Sequence, residues 1–381
     1  MLAHSAIRAC ALLAFLATAA LAQNKPRARD LGVPFDGTPG SLDAITDVAG
    51  VEVGHATLIQ GQDVRTGVTA IFPRGKNPLA NEVFANWFAQ NGNGEMTGTT
   101  WVEESGFLGG PVMITNTHSV GVVRDAYIQW QVARLQALNQ RVSWLLPVVA
   151  ETWDGRLNDI NGFHVHPPDV VRALESAAGG KVAEGGVGGG TGMICYGFKG
   201  GIGTASRKAG PYTVGVLVQC NCGRRNELTI AGVPVGREIP QTRQLAQIPG
   251  FDRDQEAGSI IIVVATDAPL VSSQLKRLAH RATMGLARTG ATSGNGSGDI
   301  FIAFSTANDG ASKSDAVQTV QMLPNARMDP LFDATVQATE EAIVNAMVGA
   351  ETMTGYQGHT VVALPHDKLQ EVLKKYNRLE K

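Results

Sequence analysis

The chain has no excess of either charge: 32 Lys and Arg stand against 34 Asp and Glu in 381 residues, a formal net charge of −2. No run of like charges is long enough to make a tail for a polyanion, so nucleic acid is not an expected partner. After the first two dozen residues no apolar stretch approaches the ~18 unbroken residues of a membrane span. Aromatic residues make up 6%, and cysteine is scarce at four. Cys10 lies in the leader described below, which leaves Cys195, Cys220 and Cys222. That odd number argues against a disulfide framework. If residues 220–222 are a strand, Cys220 and Cys222 share a face, which fits burial as small apolar side chains.

What the chain does have is apolar content, 44%, and glycine, 45 residues. That is enough to bury a large core and excludes disorder of the whole. The glycines are spread between apolar runs and predict many turns joining strands. The first residues, MLAHSAIRACALLAFLATAALAQ, set Arg8 before an apolar stretch and end in the small-x-small triplet Ala20-Leu21-Ala22. This is the layout of a cleaved secretory signal over residues 1–22, so the expected location is periplasmic or secreted, off the membrane once the signal is removed.

Strands are predicted for Val51 to Ile59, Gly67 to Phe72, Val112 to Thr115, Leu145 to Val149, Tyr212 to Gln219, Ser259 to Thr266, Ile300 to Ser305 and Thr360 to Leu364. Helices are predicted for Ser272 to Arg288, where Leu275, Leu278, Ala282, Gly285 and Leu286 share a face before Gly290, and for Asp329 to Val348. Arg124 to Asn139 and His366 to Leu379 also read as helical. Strands followed by packed helices without strict alternation predict an α+β layered fold, with helices covering two stacked sheets. No internal repeat is present.

The Gly-rich segment Glu184 to Ser206 has neither a Gly-Lys-Ser/Thr nor a G-x-G-x-x-G window, so it lacks the mechanics of a phosphate loop. Its glycines instead predict close passage of backbone against backbone or against a substrate. The pair Gly258-Ser259 stands between the polar stretch FDRDQEA and the apolar run SIIIVVAT. Most such pairs are turns. Their chemistry allows more, because glycine leaves its carbonyl open to the neighbouring hydroxyl. After cleavage the new α-amine, with an ordinary pKa of ~7.7 to 8.0, sits beside that hydroxyl as a base. Ser297 and Asp299 stand two apart before another apolar run, at the spacing that shares a strand face. No histidine pairs with a Gly-x-Ser-x-Gly elbow, and His164 and His166 lack further ligands for a metal.

Seven segments in order resemble the self-processing aminopeptidases, the family of the L-aminopeptidase/D-amidase/D-esterase and β-peptidyl aminopeptidase types within the ornithine acetyltransferase-like superfamily. They are VRTGVTAI from Val64, ITNTHSVGVVRDA from Ile114, PVVAETWDGRLNDING from Pro147, VGGGTGMICYGFKGGIGTASR from Val187, LVQCNCGRRNELTIAGVPVG from Leu217, GSIIIVVATDAPL from Gly258 and NGSGDIFIAFSTAN from Asn295. The resemblance implies a single catalytic domain over residues 23–381, built as a four-layer αββα sandwich. It implies a cut between Gly258 and Ser259 into an α chain, 23–258, and a β chain, 259–381, with no metal and no organic cofactor.

Carried over by position, Ser259 is the nucleophile, Ser297 and Asp299 assist it, and Asn221 is the oxyanion donor. Glu151 holds the free amine of a small peptide or amino-acid amide. Family members assemble as tetramers of αβ pairs, which makes a homo-oligomer the expected state. Two positions depart from familiar members: Asp299 stands where some carry Glu, and Trp153 where Tyr is expected. An indole N–H only donates, whereas a phenol also accepts. The rival readings are an acyltransferase, against which Ser259 and the secretory leader both speak, and a non-catalytic binding protein, which would remain one intact chain. Preference among α-L, D- and β-amino acid substrates stays open at this point.

Overall fold

The computed structural model describes residues 25–142, 144–240, 258–313 and 315–380. The leader and the segment 241–257 before the predicted cut lie outside the described residues. In chain order the longer elements are β1 (Glu52–Gln60), β2 (Val64–Phe72), β3 (Val83–Gly92), α1 (Thr99–Ser105), β4 (Phe107–Leu108), β5 (Val112–Asn116), α2 (Val120–Ala137), β6 (Val148–Thr152) and α3 (Pro167–Ser176). There follow β7 (Ile194–Cys195), β8 (Phe198–Lys199), β9 (Gly201–Ala209), β10 (Tyr212–Asn221), α4 (Val235–Glu238), β11 (Ser259–Thr266), α5 (Ser272–Arg288), β12 (Gly298–Ser305), α6 (Asp329–Val348), β13 (Met353–Thr354), β14 (Thr360–Val361) and α7 (His366–Lys375). No helix among them is long and apolar enough to cross a membrane.

Two main sheets form, one of four strands in the order β1-β2-β5-β6 and one of six in the order β4-β3-β12-β11-β10-β9. Each holds one parallel pair, β5 with β6 and β11 with β12, and a helix, α2 or α5, lies between the two strands in the chain. That follows from geometry, because parallel neighbours need a long crossover. Strand alternation then builds the layers. Ile261, Val263, Ala265, Ile300, Ile302, Phe304 and Leu217 face Ile71, Val112, Ile114, Val148 and Ala150 across the gap between the sheets. The opposite faces carry Ile260, Ile262, Val264, Phe301 and Ala303 under Leu275, Leu278 and Leu286 of α5 and Ala342 and Ile343 of α6. Val68, Ala70, Met113 and Val149 pack under Val123, Tyr127 and Trp130 of α2 and Val170 and Leu174 of α3. The result is the αββα sandwich expected from the sequence. All eight residues of β11 are buried, and each large aliphatic side chain there contributes ~1.5 to 3 kcal/mol relative to exposure.

Several bounds differ from expectation. The strand predicted at Leu145 to Val149 lies at Val148–Thr152; Pro147 has no N–H to offer a ladder. The Gly-rich segment is not only turns, since β9 runs from Gly201 through it. Gly201 has φ +146, and a Cβ there would lie 1.9 Å from the Gly185 carbonyl oxygen, the close passage that glycine permits. The strand predicted at Thr360 to Leu364 is the two-residue β14.

Candidate functional site

Ser259 is the first residue of β11, paired with Asn221 of β10 on one side and Gly298 of β12 on the other. The register therefore brings three sequence-predicted segments to one strand end. The Gly298 N–H donates to Ser259 Oγ at 3.1 Å. Glycine before the serine has a steric cause: a Cβ on Gly258 would lie 2.1 Å from the Asn221 carbonyl oxygen and 2.8 Å from Cys222 Cα. No side chain fits the residue whose carbonyl the Ser259 hydroxyl adjoins.

The Asn221 side chain is held at both ends. Its Oδ1 accepts from the Ile194 N–H at 2.8 Å, and its Nδ2 donates to the Trp153 carbonyl at 2.9 Å. A donor on one side and an acceptor on the other fix which end is the nitrogen. The Nδ2 carries two N–H groups, and the second is the chemical resource for an oxyanion.

Ser297 and Asp299 are both fully buried, and Ser297 Oγ donates to Asp299 Oδ1 at 2.5 Å. The Ser297 carbonyl accepts from the Asn91 side chain and from the Asn93 N–H. The two residues do share one side of their strand, as their spacing predicts, but it is not the side of the Ser259 hydroxyl. Asp299 pairs in register with Ile260, and alternation sets it with Phe301 and Ala303 toward the helices; Ser259 falls with Ile261 and Val263 toward the other sheet. The β11 main chain lies between the pair and the Ser259 hydroxyl.

Glu151, 3% exposed, is the penultimate residue of β6. Its Oε1 accepts from the Glu95 N–H at 2.9 Å and its Oε2 from the Thr117 hydroxyl. Burial pushes its carboxyl above the usual range, and these two donors offset part of that rise. Gly94 bridges Glu151 to the Ser259 end of the sheet: a Cβ there would lie 3.1 Å from Gly298 Cα and 3.2 Å from Glu151 Oε1. The carboxylate and the nucleophile thus approach from opposite sheets. Trp153, 38% exposed, turns its ring over Gly155 and Arg156, with the guanidinium 5.6 Å from the ring centroid. Next in the chain, burial pushes the Asp154 carboxyl up to about 7 against hydrogen bonds from Thr66, Asn158 and Asn116.

Thr117, Ile194 and Asp154 were not singled out from the sequence. Thr117 and Ile194 act here through a hydroxyl and a main-chain N–H that leave no motif, whereas the buried Asp154 stands beside Trp153 in the quoted segment ETWDG. The cysteines also differ from expectation. Cys195 and Cys220 form a disulfide, and Cys222 Sγ lies 3.6 Å from Cys220 Sγ. The partner comes from the hairpin of β7 and β8, a spatial neighbour that spacing does not reveal. His164 stands 3.7 Å from Asp159, and among the described residues the one three-member group of metal-type side chains is the cysteine cluster.

Two stacked sheets between helical layers, with a serine opening a central strand, define a hydrolase of the Ntn class. The model of peptidase family S58 matches residues 43–361, and the chain belongs to that family. It is 55% identical to the β-peptidyl aminopeptidase BapA of Sphingosinicella microcystinivorans over 96% of both chains. It is 49% identical to BapA of Sphingosinicella xenopeptidilytica, covering 95% of this chain and 94% of that one. Among solved structures, the L-aminopeptidase D-Ala-esterase/amidase of Ochrobactrum anthropi superposes with a TM-score of 0.86 at 48% identity, over 93% of this chain and all of that one. That relative is described as a prototype of the serine aminopeptidases and a variant of the Ntn hydrolase fold. A Burkholderia β-aminopeptidase gives 0.82 at 47% identity, over 92% and 99%. The activity of this chain is accordingly that of a serine aminopeptidase and amidase.

Proposed function

We infer that Ser259 is the nucleophile twice, first against its own chain and then against substrate. The observation that carries this is the junction itself: a serine opening a wholly buried strand, preceded by a glycine that no Cβ could replace, and flanked by Asn221 and Gly298. In the first reaction Ser259 Oγ attacks the Gly258 carbonyl, the peptide C–N bond breaks, and the acyl group moves to the oxygen as an ester. Water then hydrolyses the ester, giving a chain that ends at Gly258 and one that begins at Ser259.

The freed α-amine takes the hydroxyl proton in the second reaction, as in other N-terminal nucleophiles. Ser259 Oγ attacks the substrate carbonyl, and a tetrahedral oxyanion forms opposite the second N–H of Asn221. Collapse expels the amine and leaves an acyl-enzyme, which water hydrolyses. Ser297 and Asp299, which flank Gly298, the register partner of Ser259, hydrogen-bond and orient the α-amine. Glu151 holds the substrate's free ammonium, which confines cleavage to the N-terminal residue. Because the relatives at 55% and 49% identity are β-peptidyl aminopeptidases, peptides and amides with an N-terminal β-amino acid are the proposed substrates. Export through the leader belongs to the same proposal.

The test is a denaturing gel with N-terminal sequencing. Active enzyme should give two bands, the smaller beginning SIIIVV, and Ser259→Ala should give one inactive band. Full activity from an uncut chain would falsify the mechanism. Among amides differing only in the first residue, β-residues should be hydrolysed fastest.

A further inference from the structure

The three cysteines of the described chain converge beside Asn221, with their sulfurs all within 4.8 Å of one another. Cys220 and Cys222 bracket Asn221 in sequence, and Cys195 follows Ile194, whose N–H holds Asn221 Oδ1. The Cys195–Cys220 bond therefore closes a small ring. It runs from Ile194 through Cys195, across the two sulfurs to Cys220, along to Asn221, and back through the hydrogen bond. The hairpin that carries Ile194 has two residues in each strand and turns at Tyr196 and Gly197, both with positive φ. So short a hairpin has little stability of its own, and its position depends on what ties it down. Its other ties include the Tyr196 N–H to the Cys222 carbonyl at 2.7 Å, the Tyr196 hydroxyl to Thr289 at 2.7 Å, the Lys199 N–H to the Val362 carbonyl at 2.8 Å and Arg225 to the Tyr196 and Gly197 carbonyls. Of all its ties, the disulfide is the covalent one next to Ile194.

We propose that the Cys195–Cys220 disulfide is a positioning element for the oxyanion donor, holding the Ile194 N–H where it fixes the Asn221 side-chain plane. The inference rests on the reading of Asn221 as that donor. Its effect falls on the transition state, because Glu151, which holds the amine, is carried by the other sheet and is itself held by the Glu95 N–H and the Thr117 hydroxyl. Loss of the bond lowers kcat and leaves KM in place.

The experiment uses the mature, processed enzyme. Peptide mapping without reductant should recover a Cys195–Cys220 cross-linked peptide, with Cys222 alkylated after denaturation. Phosphine reduction adds two electrons and two protons and gives two thiols, which alkylation and mass measurement confirm. Reduction should lower kcat about ten- to a hundredfold, the cost of an ångström-scale misplacement, with KM within about twofold. Because the sulfurs are buried, Cys195→Ala with Cys220→Ala provides the same test without a reagent, and Cys222→Ser should keep both bond and kcat.

The decisive arm is Asn221→Ala: in that background reduction should change kcat by less than about twofold, since no side-chain amide remains to be positioned. Equal losses in both backgrounds would make the bond merely structural and overturn the inference. So would wild-type kcat after verified reduction, or a map with Cys195 unpaired in active enzyme. If Asn221→Ala itself keeps wild-type kcat, the oxyanion reading falls and this inference with it. If Asn221→Ala is crippled while the reduced enzyme is not, only the inference falls.

Discussion

The two sheets meet at the site but contribute differently. The six-stranded sheet carries Ser259, Asn221 and Asp299 on adjacent strands, with Ser297 just before the third. From the four-stranded sheet come Glu151, near the end of β6, and Trp153, one residue past that strand. The groups proposed to make and break bonds thus sit in one continuous hydrogen-bonded ladder, where relative positions are set by register. Glu151, the group proposed to grip the substrate, reaches in from across the gap, where side-chain length and the small residues Gly94 and Gly298 set the distance. Changes on the first sheet should therefore act on kcat, and changes on the second on substrate binding.

The larger sheet would also hold the two products of the proposed cut together. Its two central strands, β11 and β12, come from after the junction, and the strands flanking them, β10 and β3, come from before it. The segments before and after the proposed cut are hydrogen-bonded to each other along full strands on both sides. A buried ion pair adds a second stitch: Arg207 of β9 meets Glu341 of α6 at 2.6 Å, and Arg29 reaches the same carboxylate at 2.8 Å.

The largest effect expected after loss of the nucleophile is that of Asn221→Ala. Removing a single oxyanion donor costs ~2.7 to 4 kcal/mol, about a hundred- to a thousandfold in kcat. Steady-state kinetics on a short amide should show that fall with KM nearly unchanged. A variant whose loss lay wholly in KM would break the division between the sheets.

Glu151→Gln should do the reverse. A charge-assisted hydrogen bond to the substrate ammonium is worth ~1.5 to 3 kcal/mol, about ten- to a hundredfold in kcat/KM, and the change should fall mainly on KM. The pH profile sharpens the point. Burial raises the Glu151 carboxyl, so as pH falls it takes up a proton and loses the ammonium at a higher pH than an ordinary glutamate, whose pKa is ~4.3. The wild-type acid limb of kcat/KM should lie correspondingly high and vanish in Glu151→Gln. An unchanged limb would assign it to another group.

The sequence made much of this visible where one local signal dominated. Ser259–Thr266 and Ser272–Arg288 begin and end where predicted, because an eight-residue apolar run and a 3.6-residue periodicity leave no alternative. Strand β3 escaped notice: it carries apolar residues on both faces, Val83 and Ala85 toward one core and Phe84 and Phe88 toward the other, mixed with Asn86 and Gln90. Strand β9 was hidden by glycine. At the site, residue types and their spacing pointed to Ser297 and Asp299 as partners, and they are hydrogen-bonded. Which side of β11 they occupy depends on register with a strand about forty residues away, which no local pattern encodes. The same is true of Cys195, whose partner is fixed only when the hairpin folds back on β10.

The smallest effect tests the boundary between the sheets. Trp153 has its main chain on one side of the division and its ring on the other: its carbonyl anchors Asn221, and its half-exposed ring lies past the end of β6 against Gly155 and Arg156. Trp153→Tyr keeps the carbonyl, so the oxyanion donor should stay in place and kcat should move by no more than about threefold, less than the removal of one hydrogen bond. The smaller ring should act instead on substrate preference, lowering KM for bulkier N-terminal residues more than for small ones. A panel of amides differing only in that residue reads the result. If kcat falls uniformly across the panel, the indole serves the chemistry rather than the pocket, and the contribution of the four-stranded sheet is larger than its two residues suggest.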